Sequence, residues 1–177
     1  ELAQRVASPV PVAIGMLYSS PSIESAILGL IDSGARRLLV VPLFPQYCGV
    51  TTGAVYDKVA GVLGRLRWAP ELRYIADYHD DDGYIEALRA SIAAHWAAHG
   101  RTGHLLLSWH GVPSAYCDKG DPYHKRCHAT AQQLADADVM FVHNLDLEFF
   151  IINRCNIFHP LTSSVVSIRF ATQPPKI

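Results

Sequence analysis

The sequence predicts an α/β fold in which a parallel sheet is flanked by helices. Short apolar runs alternate with amphipathic stretches over the first 137 residues, and the connections between them are short. One run, residues 37–44, is apolar along almost its whole length, which is typical of a strand buried on both faces of a parallel sheet. Alternation of this kind indicates strands joined by helical crossovers, so the sheet is expected to be parallel.

The first strand and helix are predicted near the start of the chain. Residues 10–17 are expected to form the strand. Ser20 is expected to cap the helix, with Pro21 at the first helical position and Glu24 in the first turn. Gly34 is expected to end this helix. Its apolar residues recur at helical spacing: Ile23, Ile27, Leu30 and Ile31.

The middle of the chain continues the alternation. Residues 37–44 form the second predicted strand, residues 52–66 the second helix and residues 72–76 a short third strand. The acidic residues 80–82 are expected to cap a long third helix that ends at Gly100. Apolar residues fall on one face of the second helix: Val55, Val59, Val62, Leu63 and Leu66. The third helix has a similar face: Ile85, Leu88, Ile92 and Trp96.

The alternating pattern ends near residue 138. Before that point, residues 104–109 form a fourth predicted strand, and residues 129–134 lie in a fourth helix. Residues 139–177 contain apolar side chains without a clear period, so no structure is predicted for them.

Composition excludes several classes of function. The net charge is −1 with nine histidines counted as neutral, which gives no electrostatic field for nucleic acid or an anionic membrane. Four cysteines without a CxxC pair favour a reduced, cytoplasmic compartment. No secretory signal or membrane-spanning segment is recognised. A start at Glu1 suggests a processed chain or an internal piece of a longer one.

The carboxyl ends of the strands are the predicted ligand site, as in other parallel α/β sheets. Four loops are expected to converge there: residues 17–20, 45–52, 77–80 and 110–123. His110 directly follows a predicted strand, while Gly111 permits close approach of a ligand and Pro113 stiffens the exit. An imidazole at this place is either a base near neutral pH or a metal ligand. The alternative is a core histidine bonded to a carbonyl.

Other polar groups have a structural interpretation beside a functional one. Four potential metal ligands lie close together in the chain: Cys117, His124, Cys127 and His128. Their spacing is not a standard zinc pattern, so ordinary loop and helix residues are favoured. Amides beside Thr51 and Thr52 could receive a carboxylate, or these threonines could cap the helix. Residues 77–82 either bind a divalent cation or form an acidic helix start, and Cys48 is expected to be hydrophobic filler.

Three groups of motifs follow one another along residues 10–137. The first is Gly15-Met16-Leu17-Tyr18 with Pro21-Ser22-Ile23-Glu24. The second is Val41-Pro42-Leu43-Phe44-Pro45-Gln46-Tyr47 with Thr51-Thr52-Gly53, and the third is residues 106–113 with Gly120-Asp121-Pro122-Tyr123. In this order and spacing they resemble the ferrochelatase family, whose members insert ferrous iron into a porphyrin in haem synthesis. Tyr78-His79-Asp80-Asp81 is similar to bacterial members.

The resemblance implies a chelatase-like fold of Rossmann-like lobes, incomplete here relative to the family, with porphyrin in the cleft between them. Residues 1–100 would be the remainder of the first lobe, residues 101–138 the start of the second and residues 139–177 a divergent tail. His110 would be the catalytic histidine, which takes a pyrrole proton or meets the Fe²⁺. The implied porphyrin-binding residues are Tyr18, Tyr47, Thr51, Thr52 and Tyr56. The implied structural loop is Gly120, Asp121, Pro122 and Tyr123.

The resemblance also implies the substrates and the setting. Fe²⁺ is the expected metal substrate, and the porphyrin partner is protoporphyrin IX or coproporphyrin III. No iron–sulfur cluster is expected, because Cys155 alone cannot hold one, and no nucleic acid is expected as a partner. A cytoplasmic location is expected, while weak membrane association and the oligomeric state are left open.

Three departures from the family pattern qualify these expectations. Leu17 stands where bacterial members place Arg before the Tyr. The family carries a further segment before the position of Glu1, and its catalytic glutamate is not found in residues 139–177. We therefore expect a central fragment that is inactive or nearly so by itself. Two alternatives are a cobalt or sirohydrochlorin chelatase and a non-enzymatic metal-binding module.

Overall fold

The computed structural model describes residues 10–100, 104–135 and 169–171, and its contacts divide the chain between Asp77 and Tyr78 into two compact units. The first unit contains α1 (Ile23–Asp32), β1 (Arg37–Val40), a π-helical turn (Gly49–Gly53), α2 (Ala54–Leu63) and β2 (Glu71–Tyr74). The second contains α3 (Asp82–His99), β3 (His104–Leu106), α4 (Ser114–Asp118), α5 (Tyr123–Leu134) and β4 (Arg169–Ala171). None of the helices in these ranges is both long enough and apolar enough to cross a membrane.

A small parallel sheet flanked by helices forms the centre of the first unit, as the predicted α/β class requires. β1 and β2 pair in parallel, with Leu38 opposite Leu72. α1 and α2 pack against the side of β1 that buries Leu38. The buried core of this unit is Ile23, Ile27, Leu38, Val59 and Val62.

The second predicted strand is shorter and more exposed than its sequence indicates. β1 ends at Val40, whose carbonyl accepts the last ladder bond from the amide of Ile75 at 3.0 Å. Pro42 cannot donate to a ladder, which stops the strand before residue 44. Leu39 is 62% exposed, so burial on both faces was a wrong prediction for the described residues.

The predicted strand at residues 10–17 is also wrong. Residues 10–15 have no regular structure, and only an isolated bridge joins Met16 to Ser22. The side chains of Val10 and Ile14 are exposed over 57% and 70% of their surface. An extended segment becomes a strand only when a neighbouring strand forms hydrogen bonds with its backbone N–H and C=O groups. The described residues provide no such neighbouring strand here.

α1 begins two residues later than predicted. Ser22, not Ser20, is the N-cap: its backbone is extended and its Oγ accepts the amide hydrogen of Ser25 at 3.0 Å. The carbonyl of Pro21 accepts a hydrogen bond from the amide of Met16, so Pro21 belongs to the preceding turn. The predicted apolar face is confirmed, since Ile23 and Ile27 are buried and Leu30 and Ile31 pack against the same core. Gly34 follows the helix with φ of +98°, a conformation that favours glycine.

α2 occupies a shorter range than the predicted residues 52–66. The π-helical turn replaces its first residues, because the amides of both Thr51 and Gly53 donate to the carbonyl of Cys48. The helix ends at Leu63, where the amide of Gly64 donates to the carbonyl of Ala60. Residues beyond it continue as a turn.

α3 is the element that agrees best with its sequence pattern. Asp81 caps it, with Oδ1 accepting the amide hydrogen of Tyr84 at 3.0 Å. Ile85 and Ile92 are buried on the predicted face. Gly100 ends the helix with φ of +79°. A good cap and a terminal glycine are local signals, so the sequence alone placed both ends.

The remainder of the second unit differs from the prediction in three ways. Residues 129–134 are helical, as predicted, within α5, but the short helix α4 that precedes it was not predicted. β3 stops at Leu106 instead of residue 109. It pairs antiparallel with β4, which lies in a segment for which no structure was predicted. The other residues predicted as a divergent tail lie outside the described ranges, as does Cys155.

Substitution of Ile27 tests the packing of the first unit. Ile27→Ala leaves a cavity between α1 and the sheet, and we expect a loss of about 2–5 kcal/mol in unfolding free energy. Leu28→Ala is the matched control, because Leu28 is 36% exposed and should cost less than about 1 kcal/mol. Urea denaturation of both variants measures the difference. Equal losses would contradict the assigned core.

Candidate functional site

An open cavity of about 490 Å³ lies in the first unit, at the carboxyl ends of β1 and β2. Its size is within the range of small-molecule sites. The loop after β1, the first turn of α2 and the end of β2 form the walls. The lining residues are Tyr47, Gly49, Gly53, Tyr56, Asp57, Tyr74 and Ala76. This is the edge at which parallel α/β sheets bind ligands, as the topology predicted.

Three tyrosines give the cavity its aromatic walls. The rings of Tyr56 and Tyr74 meet edge to face, with centroids 5.3 Å apart and planes at 87°. Tyr47 reaches the cavity from the loop after β1. Its hydroxyl would lie only 3.3 Å from a Cβ added at Gly53, so the small residue lets this ring lie close to the turn.

Tyr74 also holds the turn below the cavity. Its hydroxyl donates to the carbonyl of Thr52 at 2.6 Å, which connects the end of β2 with the π-helical turn. Burial, followed by the neighbouring Tyr47 and Asp57, which disfavour a negative charge, raises the pKa of Tyr74 to about 12. The phenol therefore remains a neutral donor at physiological pH.

The two predicted threonines lie in the turn and do not line the cavity. Thr51 Oγ1 donates to the carbonyl of Cys48 at 3.3 Å. Thr52 is fully buried, and its Oγ1 has no hydrogen-bond partner among the described residues. The amides of Thr51 and Gly53 already donate to Cys48, so they do not offer the anion-binding site considered from the sequence. Cys48 itself is buried, as expected of hydrophobic filler.

Tyr18 does not join the other predicted porphyrin-binding residues. It is 73% exposed and lies outside the cavity lining, so of the predicted set only Tyr47 and Tyr56 line this cavity. Sequence reasoning missed Tyr74, Asp57 and Ala76. Ala76 ended the predicted strand at residues 72–76, which was the available signal for it, since strand ends meet at the ligand edge. Tyr74 lay in the middle of that predicted strand and carried no such signal, because the observed strand ends two residues earlier.

His110 lies in the second unit, in the loop that follows β3. Its side chain is exposed, so the alternative of a core histidine does not apply. Residues 107–113 form an irregular segment that ends at Pro113, the residue immediately before α4. Next to it, the ring nitrogen of Trp109 is buried without a hydrogen-bond partner among the described residues.

Local hydrogen bonds hold the loop between α4 and α5. Gly120 has φ of +98°, which few other residues adopt readily. Asp121 Oδ1 accepts the amide hydrogen of Tyr123 at 2.9 Å, and the Asp121 amide donates to the carbonyl of Tyr116. The Gly-Asp-Pro-Tyr segment therefore sets the start of α5.

The cysteine and histidine cluster does not form a four-ligand metal site. Cys127 is buried in the packed face of α5, and no three of the four side chains bring ligand atoms within reach of one ion in the described part of the chain. His124 and His128 do meet, with their Nε2 atoms 3.3 Å apart. Burial, followed by the neighbouring His124, lowers the pKa of His128. Among the acidic residues near α3, Asp81 serves as the helix cap.

Removal of the Tyr74 hydroxyl tests the turn contact. Tyr74→Phe should lower unfolding free energy by about 0.5–1.5 kcal/mol, the usual net value of one hydrogen bond. Because the folded pKa lies above the ordinary value of 10.0, this stabilisation should be complete below pH 10 and lost as pH rises towards about 12. Titration of tyrosine ionisation, followed by ultraviolet absorbance, should show no transition near pH 12 in Tyr74→Phe. The same transition should remain in the control variant Tyr116→Phe. A component near pH 12 that persists in Tyr74→Phe would refute the assignment.

Comparison with known proteins agrees with the motifs. The family model described as Ferrochelatase matches residues 1–149. The ferrochelatase of Thioalkalivibrio sulfidiphilus is 53% identical over 135 residues, which cover 76% of this chain and 37% of the relative. That of Nitrosococcus oceani is 53% identical over 127 residues, covering 72% and 34%, and that of Pseudoalteromonas atlantica is 44% identical over 135 residues, covering 76% and 38%. The chain thus spans just over a third of the length of these relatives, and it belongs to the ferrochelatase family.

Proposed function

We propose that the intact protein inserts Fe²⁺ into protoporphyrin IX or coproporphyrin III in haem biosynthesis. The observation that supports this most directly is the tyrosine-lined cavity at the carboxyl ends of β1 and β2, in a chain of the ferrochelatase family. In this proposal Tyr47 and Tyr56 contact the porphyrin, and His110 is the catalytic base or the iron ligand. Fe²⁺ is a substrate of the reaction.

The aromatic walls suit a flat, largely apolar macrocycle. A porphyrin loses water from its faces when it enters such a cavity, and the tyrosine rings replace that water with apolar and edge-to-face contacts. The rings of Tyr56 and Tyr74 pack edge to face, so each restricts the movement of the other. The cavity wall therefore has a fixed shape. A fixed wall can favour a bent macrocycle, whose nitrogen lone pairs are more accessible to a metal ion.

The chemistry requires a proton acceptor. A free porphyrin carries two pyrrole N–H groups, so two N–H bonds must break and two protons must leave as Fe²⁺ binds to the four pyrrole nitrogens. A neutral imidazole accepts one proton at a time and returns it to water. His110 is exposed in a short loop and therefore available to a substrate.

The other predicted residues have more indirect roles in this proposal. Thr51 and Thr52 hold the turn on which the cavity depends, through the bonds to Cys48 and from Tyr74. Tyr18 contacts the porphyrin outside the cavity, where its exposed ring is available. The Gly120 to Tyr123 loop acts as a support for the helix that follows it.

We also propose a division into lobes, a cellular location and a binding partner for the protein. Residues 1–100 form the remainder of the first lobe, residues 101–138 form the start of the second, and residues 139–177 are a divergent tail. The protein is cytoplasmic, its partner is the porphyrin rather than nucleic acid, and it uses no iron–sulfur cluster. The near-neutral net charge of −1 supports the exclusion of nucleic acid.

Replacement of His110 tests the proposed chemistry. In the intact protein, His110→Ala should lower the rate of iron insertion by at least about 100-fold, because it removes a general base. Porphyrin binding, followed by fluorescence, should change little. His99→Ala is the matched control, since His99 is an exposed histidine on α3 of the same unit. Wild-type iron insertion by a folded His110→Ala protein would disprove the role.

A further inference from the structure

We propose that His124 and His128 form a binding site for a divalent transition-metal ion such as Zn²⁺, separate from the iron substrate. The two histidines occupy positions one turn apart on α5, and their Nε2 atoms are 3.3 Å apart. Their ring centroids are 4.5 Å apart, so the nitrogen edges are closer than the rings themselves. The two Nε2 atoms are therefore close enough to bind the same metal ion.

The separation of the two nitrogens fits a tetrahedral metal ion. Zinc–nitrogen bonds are about 2.0–2.1 Å long, and a tetrahedral angle between two of them places the nitrogens about 3.3–3.4 Å apart. The observed distance is 3.3 Å. In the metal-free protein the two nitrogens are within hydrogen-bond distance. On metal binding, the proton carried by one Nε2 would move to Nδ1 of the same ring, so that the lone pairs of both Nε2 atoms become available to the ion.

Packing next to the histidine pair fixes the helix that carries it. Cys127, Ala131 and Leu134 are buried, and Thr130 Oγ1 donates to the carbonyl of His79 at 2.9 Å. His124 is exposed and His128 is half-buried beside this packed stripe. Because packing orders the backbone before any ion arrives, little conformational freedom is lost on binding.

The ligand type determines which ions fit. Imidazole nitrogen binds Zn²⁺, Cu²⁺, Ni²⁺ and Co²⁺, whereas Mg²⁺ and Ca²⁺ require oxygen ligands. Two protein ligands leave at least two positions for water or a further ligand, so the ion should exchange rather than serve as a structural zinc. Iron insertion at His110 makes no use of either residue, so this site goes beyond the proposed function.

Metal binding by the full, metal-depleted chain tests the site. Calorimetric titration with Zn²⁺ should lose one binding event, or weaken it by at least about tenfold, in His124→Gln and in His128→Gln, since even changes in outer-shell groups reduce metal affinity this much. Mg²⁺ should not compete. Wild-type zinc affinity in either variant would overturn the proposal.

A second histidine pair supplies the matched control. His95 and His99 are also one turn apart, on α3, but their rings stack at 22° and 4.3 Å, and His99 Nδ1 lies 3.0 Å from the carbonyl oxygen of His95. His95→Gln with His99→Gln should leave the Zn²⁺ site intact, as should His110→Ala. Loss of the same binding event in the α3 variant would contradict the assignment to α5.

Histidine NMR of the wild-type chain makes the test independent of variant folding. Zn²⁺ should shift the imidazole signals of His124 and His128 together, at one equivalent, and leave those of His95 and His99 in place. A shift at neither of the two α5 histidines would overturn the proposal. Failure of iron insertion in the His110→Ala protein has no bearing on this result, so the two proposals are tested separately.

Discussion

The parallel pairing of β1 with β2 is the constraint on which the first unit depends. With Leu38 opposite Leu72, both strands end at the same edge, so the loop after β1 and the residues after β2 become neighbours. That edge is where the cavity lies. The hydroxyl of Tyr74 then connects β2 with the turn at Thr52, which joins the sheet, the turn and the start of α2 into one wall. An antiparallel pair would separate these loops and leave no common site.

The same constraint explains the amino acids found in the turn. Gly53 leaves room for the Tyr47 ring beside the backbone. The Thr51 hydroxyl stabilises the turn because it donates a hydrogen bond to the carbonyl of Cys48. The motif Thr51-Thr52-Gly53 therefore shapes the cavity through the backbone more than through its own side chains. The aromatic contacts come from residues on either side of it.

The sequence predicted best those elements whose signals are local. The ends of α3 were evident from Asp81 and Gly100, because a cap and a terminal glycine act within one turn. Strand limits were less predictable, since residues 10–17 have the apolar composition of a strand but find no pairing neighbour among the described residues. β4 was not predicted because its pairing with β3 joins segments far apart in the chain. For the site, the loop containing Tyr47 was predicted from its motif. The place of Tyr74 in the cavity could be found only once the pairing register of the sheet was known.

The central claim is that the tyrosine cavity receives a porphyrin, and ring-current shifts measure this most directly. A porphyrin shifts the NMR signals of any side chain that lies against its face. Titration of the tyrosine-labelled full chain with protoporphyrin IX should shift the ring signals of Tyr47, Tyr56 and Tyr74 together and leave Tyr116, on α4, unchanged. Saturable porphyrin binding that leaves all three cavity tyrosines unshifted would contradict the account.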